Sequence, residues 1–118
     1  MYKVLPARSF ERDAKVLFKK YASLRNELAE LGKQLALNPT QGTPIGHNCY
    51  KIRQAIKSKG KGKSGGARVI SFIETEIIGY AEKVSTEEII VNLLSIYDKS
   101  EVSNISDKEL KDLIKNLK

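Results

Sequence analysis

Apolar residues in the first third of the chain recur at helical spacing. Phe10, Ala14, Leu17, Phe18 and Tyr21 form one stripe, and Leu24, Leu28, Leu31 and Leu35 form a second. The first helix is predicted from Ser9, placed to cap it, to about Ala22. Glu11 and Asp13 fall in its first turn, where carboxylates meet the positive end of the helix dipole. Ser23 is placed to cap the second helix, which must stop before Asn38-Pro39 because proline disfavours helical geometry in the residue before it. With almost no linker between them, the two helices form an antiparallel hairpin whose joint apolar face needs a sheet to cover it. A short strand, Tyr2 to Leu5, precedes them and ends at Pro6.

Beyond the helices the period changes. Thr40 to Asn48 is rich in Gly, Pro, Thr and Asn and reads as a loop. Cys49 to Ile56 alternates as a half-buried strand does, with Tyr50, Ile52 and Ile56 on one side and Lys51, Arg53 and Ala55 on the other. Lys57 to Gly66 is a flexible basic loop, and Ala67 to Ile73 is the next strand. Glu74 to Glu88 fits either an extension of that strand or an inserted hairpin. Ile89 to Tyr97, apolar on both sides, is predicted to be a central strand. Ser106-x-x-Glu109 is a capping box with Ile105 and Leu110 placed as a hydrophobic staple, so a short helix carrying Leu110, Leu113, Ile114 and Leu117 closes the chain. The predicted class is α+β: one domain over residues 1–118, with an N-terminal helix hairpin packed on a small antiparallel sheet and a short C-terminal helix.

Composition narrows the class. A chain of 118 residues with 41% hydrophobic and 30% charged positions suits a globule better than a disordered chain. No apolar run approaches the ~20 residues needed to cross a bilayer. Met1 to Pro6 lacks the apolar core of a secretory signal, and one cysteine, Cys49, allows no intramolecular disulfide. The expectation is a cytoplasmic protein.

Charge is unevenly distributed. Residues 1–50 carry eight basic and four acidic side chains, and residues 69–118 carry six basic and ten acidic. Between them, residues 51–68 hold seven cations (Lys51, Arg53, Lys57, Lys59, Lys61, Lys63 and Arg68) and no acid, a segment charge equal to the +7 of the whole chain. Positive charge focused in this way suits a polyanion or a strongly acidic protein.

Several chemistries find little support. Gly62-Lys63-Ser64 resembles the end of a phosphate-binding loop, but Lys57 stands where the first glycine belongs and a strand, not a helix, follows. A lone Cys49 reads as a small buried hydrophobe. The single histidine, His47, has no metal-ligand partner at ligand spacing, although it lies close enough to the basic strand to reach a site there. What remains is a cationic sheet face. Lys51 and Arg53 share a face by spacing, and cross-strand neighbours lie ~5 Å apart, so Arg68 would complete a cluster if it faced the same way. Such a cluster fits a phosphodiester, which arginine grips bidentately and lysine meets as a point charge. A solvated basic face, or a docking surface for an acidic protein, is the other reading.

At these residues the chain resembles a known family. Cys49-Tyr50-Lys51-Ile52-Arg53, the basic Gly-rich loop, and Gly65-Gly66-Ala67-Arg68-Val69-Ile70 are similar to the RelE/ParE toxin superfamily of type II toxin–antitoxin systems. The Lys-Gly-Lys-Gly-Lys loop and Leu93-Leu94-Ser95-Ile96-Tyr97-Asp98-Lys99-Ser100-Glu101 resemble its HigB-like branch. The resemblance implies a microbial-ribonuclease-like fold and a toxin that cuts messenger RNA in the ribosomal A site, without metal or other cofactor. The attacking group would be the ribose 2′-hydroxyl.

By position, Lys51, Arg53, Arg68 and Lys99 match the family's catalytic cations. Where the family has a base-stacking tyrosine this chain reads Asn104-Ile105, which leaves that role to Tyr97 or Tyr50. With no histidine pair, the base would be Lys51, its pKa lowered by neighbouring cations. Arg68 would stabilise the transition state, and Lys99 would support or donate a proton. Lys57, Lys59, Lys61 and Lys63 would hold RNA backbone without sequence preference. The implied partners are the ribosome, messenger RNA and an antitoxin, expected to be a helix-turn-helix protein; no membrane is involved. Two alternatives stay open: a ParE-like inhibitor of DNA gyrase, and a degraded toxin acting as a binding or regulatory module.

Overall fold

The computed structural model describes residues 2–60, 65–81, 84–102 and 104–117, with 76–81 and 84–87 described as backbone alone. The order is β1 (Tyr2–Pro6), α1 (Arg8–Lys20), α2 (Leu24–Leu37), β2 (Thr43–Gly46), β3 (Cys49–Gln54), β4 (Ala67–Ala81), β5 (Val84–Asp98) and α3 (Asp107–Lys115). A single 3-10 turn, Lys57–Lys59, follows β3. The class is α+β, and no described helix is long and apolar enough to cross a membrane.

The five strands form one sheet in the order β1-β5-β4-β3-β2. The sheet is mixed, which corrects the expectation of an antiparallel one: β1 pairs parallel to β5 while every other pair is antiparallel. The helix hairpin accounts for this, since α1 and α2 carry the chain away over one face and leave β1 free to run beside the later β5. Strand β5 is thereby flanked on both edges, as its two-sided apolar character requires.

The helix stripes pack as their spacing predicts. Phe10, Ala14 and Leu17 of α1 and Leu24, Leu31 and Leu35 of α2 are buried against Ile52, Val69, Val91, Leu93 and Ile96 of the sheet. On the opposite face, Leu110 of α3 is buried with Cys49, Ile70 and Leu94, and Ile105, Leu113, Ile114 and Leu117 pack beside them. The sheet is thus sandwiched by α1 and α2 on one side and α3 on the other. The capping box at the start of α3 is complete: the Ser106 hydroxyl accepts from the Glu109 amide at 3.1 Å.

Local expectations differ in three places. Ala7, not Ser9, is the N-cap of α1; the Ser9 hydroxyl instead donates to the Leu94 carbonyl across the sheet edge. Ser23 occupies the N-cap of α2, but its hydroxyl donates to Glu27 and accepts from the Ser58 amide. Part of the expected 40–48 loop is strand: β2 and β3 meet in a tight hairpin whose turn residues, His47 and Asn48, both have positive φ. In the stretch that pattern left open, residues 74–81 extend β4 and 84–88 begin β5, paired with each other beyond the ends of β1 and β3.

Burial divides two leucines at the end of α2. Leu35 is fully buried and Leu37 is 85% exposed. Chemical denaturation should show Leu35→Ala losing about 3 kcal/mol and Leu37→Ala changing stability by under about 0.5 kcal/mol. Equal losses would contradict this packing.

Candidate functional site

The register of the three central strands decides where the cations go. Arg53 on β3 is paired with Arg68 on β4, and Arg68 in turn with Tyr97 on β5. Directly paired residues of antiparallel strands share a face, and Lys51 shares that of Arg53 by alternation. Lys51, Arg53, Arg68 and Tyr97 therefore occupy the α3 side of the sheet. Tyr50 alternates with Lys51 and belongs to the opposite side, so of the two tyrosines only Tyr97 stands with the cations.

The cations differ in exposure. Arg53 is exposed, Lys51 is half-buried, and Arg68 is buried at 6% exposure. The row is therefore not the open surface patch that strand alternation implies, because α3 and the turn before it cover part of this face. The Arg68 guanidinium donates to the Ala67 carbonyl at 3.1 Å. The Lys51 ammonium donates to the Asn104 side-chain oxygen at 3.3 Å, beside a small cleft bounded by Ile45, Ile105 and Leu110. Tyr97 has a buried hydroxyl with no hydrogen-bond partner among the described residues. Burial raises the pKa of that phenol, against the opposing effect of the Arg68 charge.

Strand β4 enters this row at Gly66. A side chain there would run into the carbonyl oxygen of Gln54 on β3, so only glycine lets the two backbones approach so closely. The Gly66 carbonyl also accepts from the Lys99 amide at 3.0 Å, which ties the turn after β5 to the start of β4.

The basic loop is not uniformly available to a ligand. Lys57 is exposed, while its backbone amide donates to Glu27 at 3.0 Å. Lys59 departs from the expected solvent-facing cation: its ammonium pairs with the buried carboxylate of Asp98 and also donates to Ser100 and the Gly65 carbonyl. Lys61 and Lys63 lie outside the described residues. The His47 Nε2 lies 2.9 Å from Asp107 in the first turn of α3, and Asp107 lines the same small cleft as Lys51. Contact with His47 and Lys111 lowers the pKa of Asp107.

Asp98 was not foreseen as an organising residue. It is 2% exposed, accepts from the Tyr21 hydroxyl at 2.6 Å, and accepts from both the amide and the hydroxyl of Ser100. Burial alone would raise its pKa, but the Lys59, Tyr21 and Ser100 hydrogen bonds outweigh it and hold the carboxyl well below the usual range. The same hydrogen bond pushes the Tyr21 phenol up to about 12. Its sequence signal was an acid ending an otherwise apolar strand; Asn104 had no such signal. Cys49 is buried, and burial pushes its thiol up to about 11, so it is not a ready nucleophile. Among the described residues, no three His, Cys, Asp or Glu side chains gather as a metal-binding group.

No protein-family model, curated protein or solved structure matches the chain.

Two pH limbs follow from the Asp98 network. The folded protein holds Asp98 ionised below its ordinary pKa of 3.8, so that stabilisation is present above this value and is lost as pH falls below it. Tyr21 keeps its proton more tightly when folded, so its contribution is present below pH 10.0 and is lost as pH rises towards about 12. Urea unfolding across pH should show both declines, and Asp98→Asn should flatten both. Lys59→Met should cost about 3 kcal/mol at neutral pH by leaving a buried charge unpaired; an unchanged midpoint would rule out this role for Lys59.

Proposed function

We propose that the chain is a metal-independent endoribonuclease, the toxin of a toxin–antitoxin pair, cutting messenger RNA on the ribosome. The observation that supports this most directly is the pairing of Arg53 with Arg68 and of Arg68 with Tyr97, with Lys51 on the same face. Three cations and an aromatic ring on one side of a sheet fit a phosphodiester and its adjoining nucleotide.

In this reaction the ribose 2′-oxygen attacks the adjacent phosphorus and the bond to the 5′-oxygen breaks. The products are a 2′,3′-cyclic phosphate and a free 5′-hydroxyl. Lys51 takes the 2′-hydroxyl proton. Arg53, at the exposed end of the row, grips the non-bridging oxygens, and Arg68 supplies a fixed charge beneath the phosphorane, where added negative charge develops. Lys99, in the turn next to Asp98, gives a proton to the leaving oxygen. Lys57, with Lys61 and Lys63, adds backbone affinity that falls with salt. An antitoxin that covers this basic face would silence it, and a helix-turn-helix partner would also bind the operator.

Cleavage of a translated message by purified protein tests the proposal. Lys51→Ala and Arg53→Ala alter accessible side chains, and each should slow cleavage about 10²-fold, with the same order of loss in translation arrest. Undiminished arrest by the Lys51→Ala/Arg53→Ala/Arg68→Ala variant would overturn the nuclease reading, and inhibition of gyrase supercoiling by that variant would support the ParE-like alternative.

A further inference from the structure

Tyr97 borders a second cleft, of about 410 Å³, between the end of β5 and α3. That volume lies within the ~300–1,000 Å³ of small-molecule sites. Tyr97, Ile105 and Leu113 supply apolar wall, and the carboxylates of Asp13, Glu109 and Asp112 line the same space. Two of these acids are already engaged: Asp13 accepts from Ser95 at 2.9 Å, and Glu109 accepts from the Ser106 hydroxyl at 2.9 Å. Asp112 makes no side-chain hydrogen bond or ion pair among the described residues. The unpartnered Tyr97 hydroxyl belongs to a residue lining the same cleft.

We propose that this cleft seats the nucleobase next to the cleaved phosphate and selects a base bearing an exocyclic amino group. The inference rests on the ribonuclease reading and adds a base preference to it. Tyr97 is the direct cross-strand neighbour of Arg68, about 5 Å away along the sheet, so a nucleotide whose phosphate lies on the cations brings its base to the Tyr97 ring. The carboxylates repel a phosphate and accept N–H donors, which orients the nucleotide with its phosphate towards Arg53 and Arg68 and its neutral base towards α3. Unstacked RNA bases are commonly read in this manner, on an aromatic face and by hydrogen bonds along one edge. Adenine, cytosine and guanine each present an amino group to Asp112 or Glu109. Uracil presents two carbonyl oxygens and a single ring N–H, and carbonyl oxygens facing carboxylates are disfavoured. Tyr97 would thus perform the stacking left open by Asn104.

Cleavage sites on translated messages, mapped to single nucleotides, test this. The wild type should use uracil at the selected position about tenfold less than the other bases, the discrimination of one good edge contact. Asp112→Asn and Glu109→Gln should each bring uracil towards parity; glutamine at 109 preserves the capping box. Lys108→Ala, an exposed change on α3 outside the cleft, should keep the wild-type preference. Cleavage with uracil used as freely as other bases, or an exclusion of uracil that survives in both carboxylate variants, would overturn base selection while leaving the ribonuclease intact. Absence of any cleavage by the wild type would overturn the ribonuclease reading and this inference with it.

Discussion

A carboxylate buried at the end of a strand must be compensated by donors, because removing an isolated charge from water costs several kcal/mol or more. Asp98 meets this demand with the Lys59 ammonium, the Tyr21 hydroxyl and the Ser100 amide and hydroxyl. Each donor comes from a different segment: the basic loop, the end of α1, and the turn beyond β5. Satisfying one anion therefore draws three otherwise separate segments to one point. That point adjoins Arg68 and Tyr97, because Asp98 pairs with Ala67 one residue along the ladder. The candidate site is braced by an ion pair outside its own cation row.

The sheet has two unlike faces. The α1 and α2 side is a continuous apolar interface, and its burial orders most of the sheet. The α3 side is covered by a shorter helix and retains polar groups: a half-buried lysine, a buried arginine and an orphaned tyrosine hydroxyl. Polar groups on a partly covered face are costly unless they are satisfied or used. Cations lie along β3 and β4, and carboxylates lie along α3 on the far side of Tyr97. This polarity matches a nucleotide, whose charge is confined to one end.

Much of this was legible in local pattern. The leucine and phenylalanine stripes placed the helices, and the Ser106-x-x-Glu109 box placed α3, because both signals act within a few turns of the chain. Lys51 and Arg53 share a face because alternation is a local property of a strand. Other assignments failed locally. Ser9 has the chemistry of an N-cap, yet its hydroxyl is used by the Leu94 carbonyl, 85 residues away in sequence. Lys59 looked like its neighbours in a basic loop, and only a carboxylate 39 residues later withdraws it from solvent. Glu88 ends the stretch that pattern left open, and it is buried and paired with Lys3, 85 residues earlier, at 2.9 Å.

The amino-acid order by itself determined the three helices and four of the five strands, which side chains share a face of each, and that excess positive charge is gathered between positions 51 and 68. Only the assembled sheet decided that β1 runs parallel to β5, that Arg53, Arg68 and Tyr97 stand abreast, and that Arg68 is buried. The division follows from distance along the chain. Periodicity and capping are written within a few residues, whereas register and burial depend on which remote strand lies alongside, and a one-residue change of register would turn every side chain to the other face.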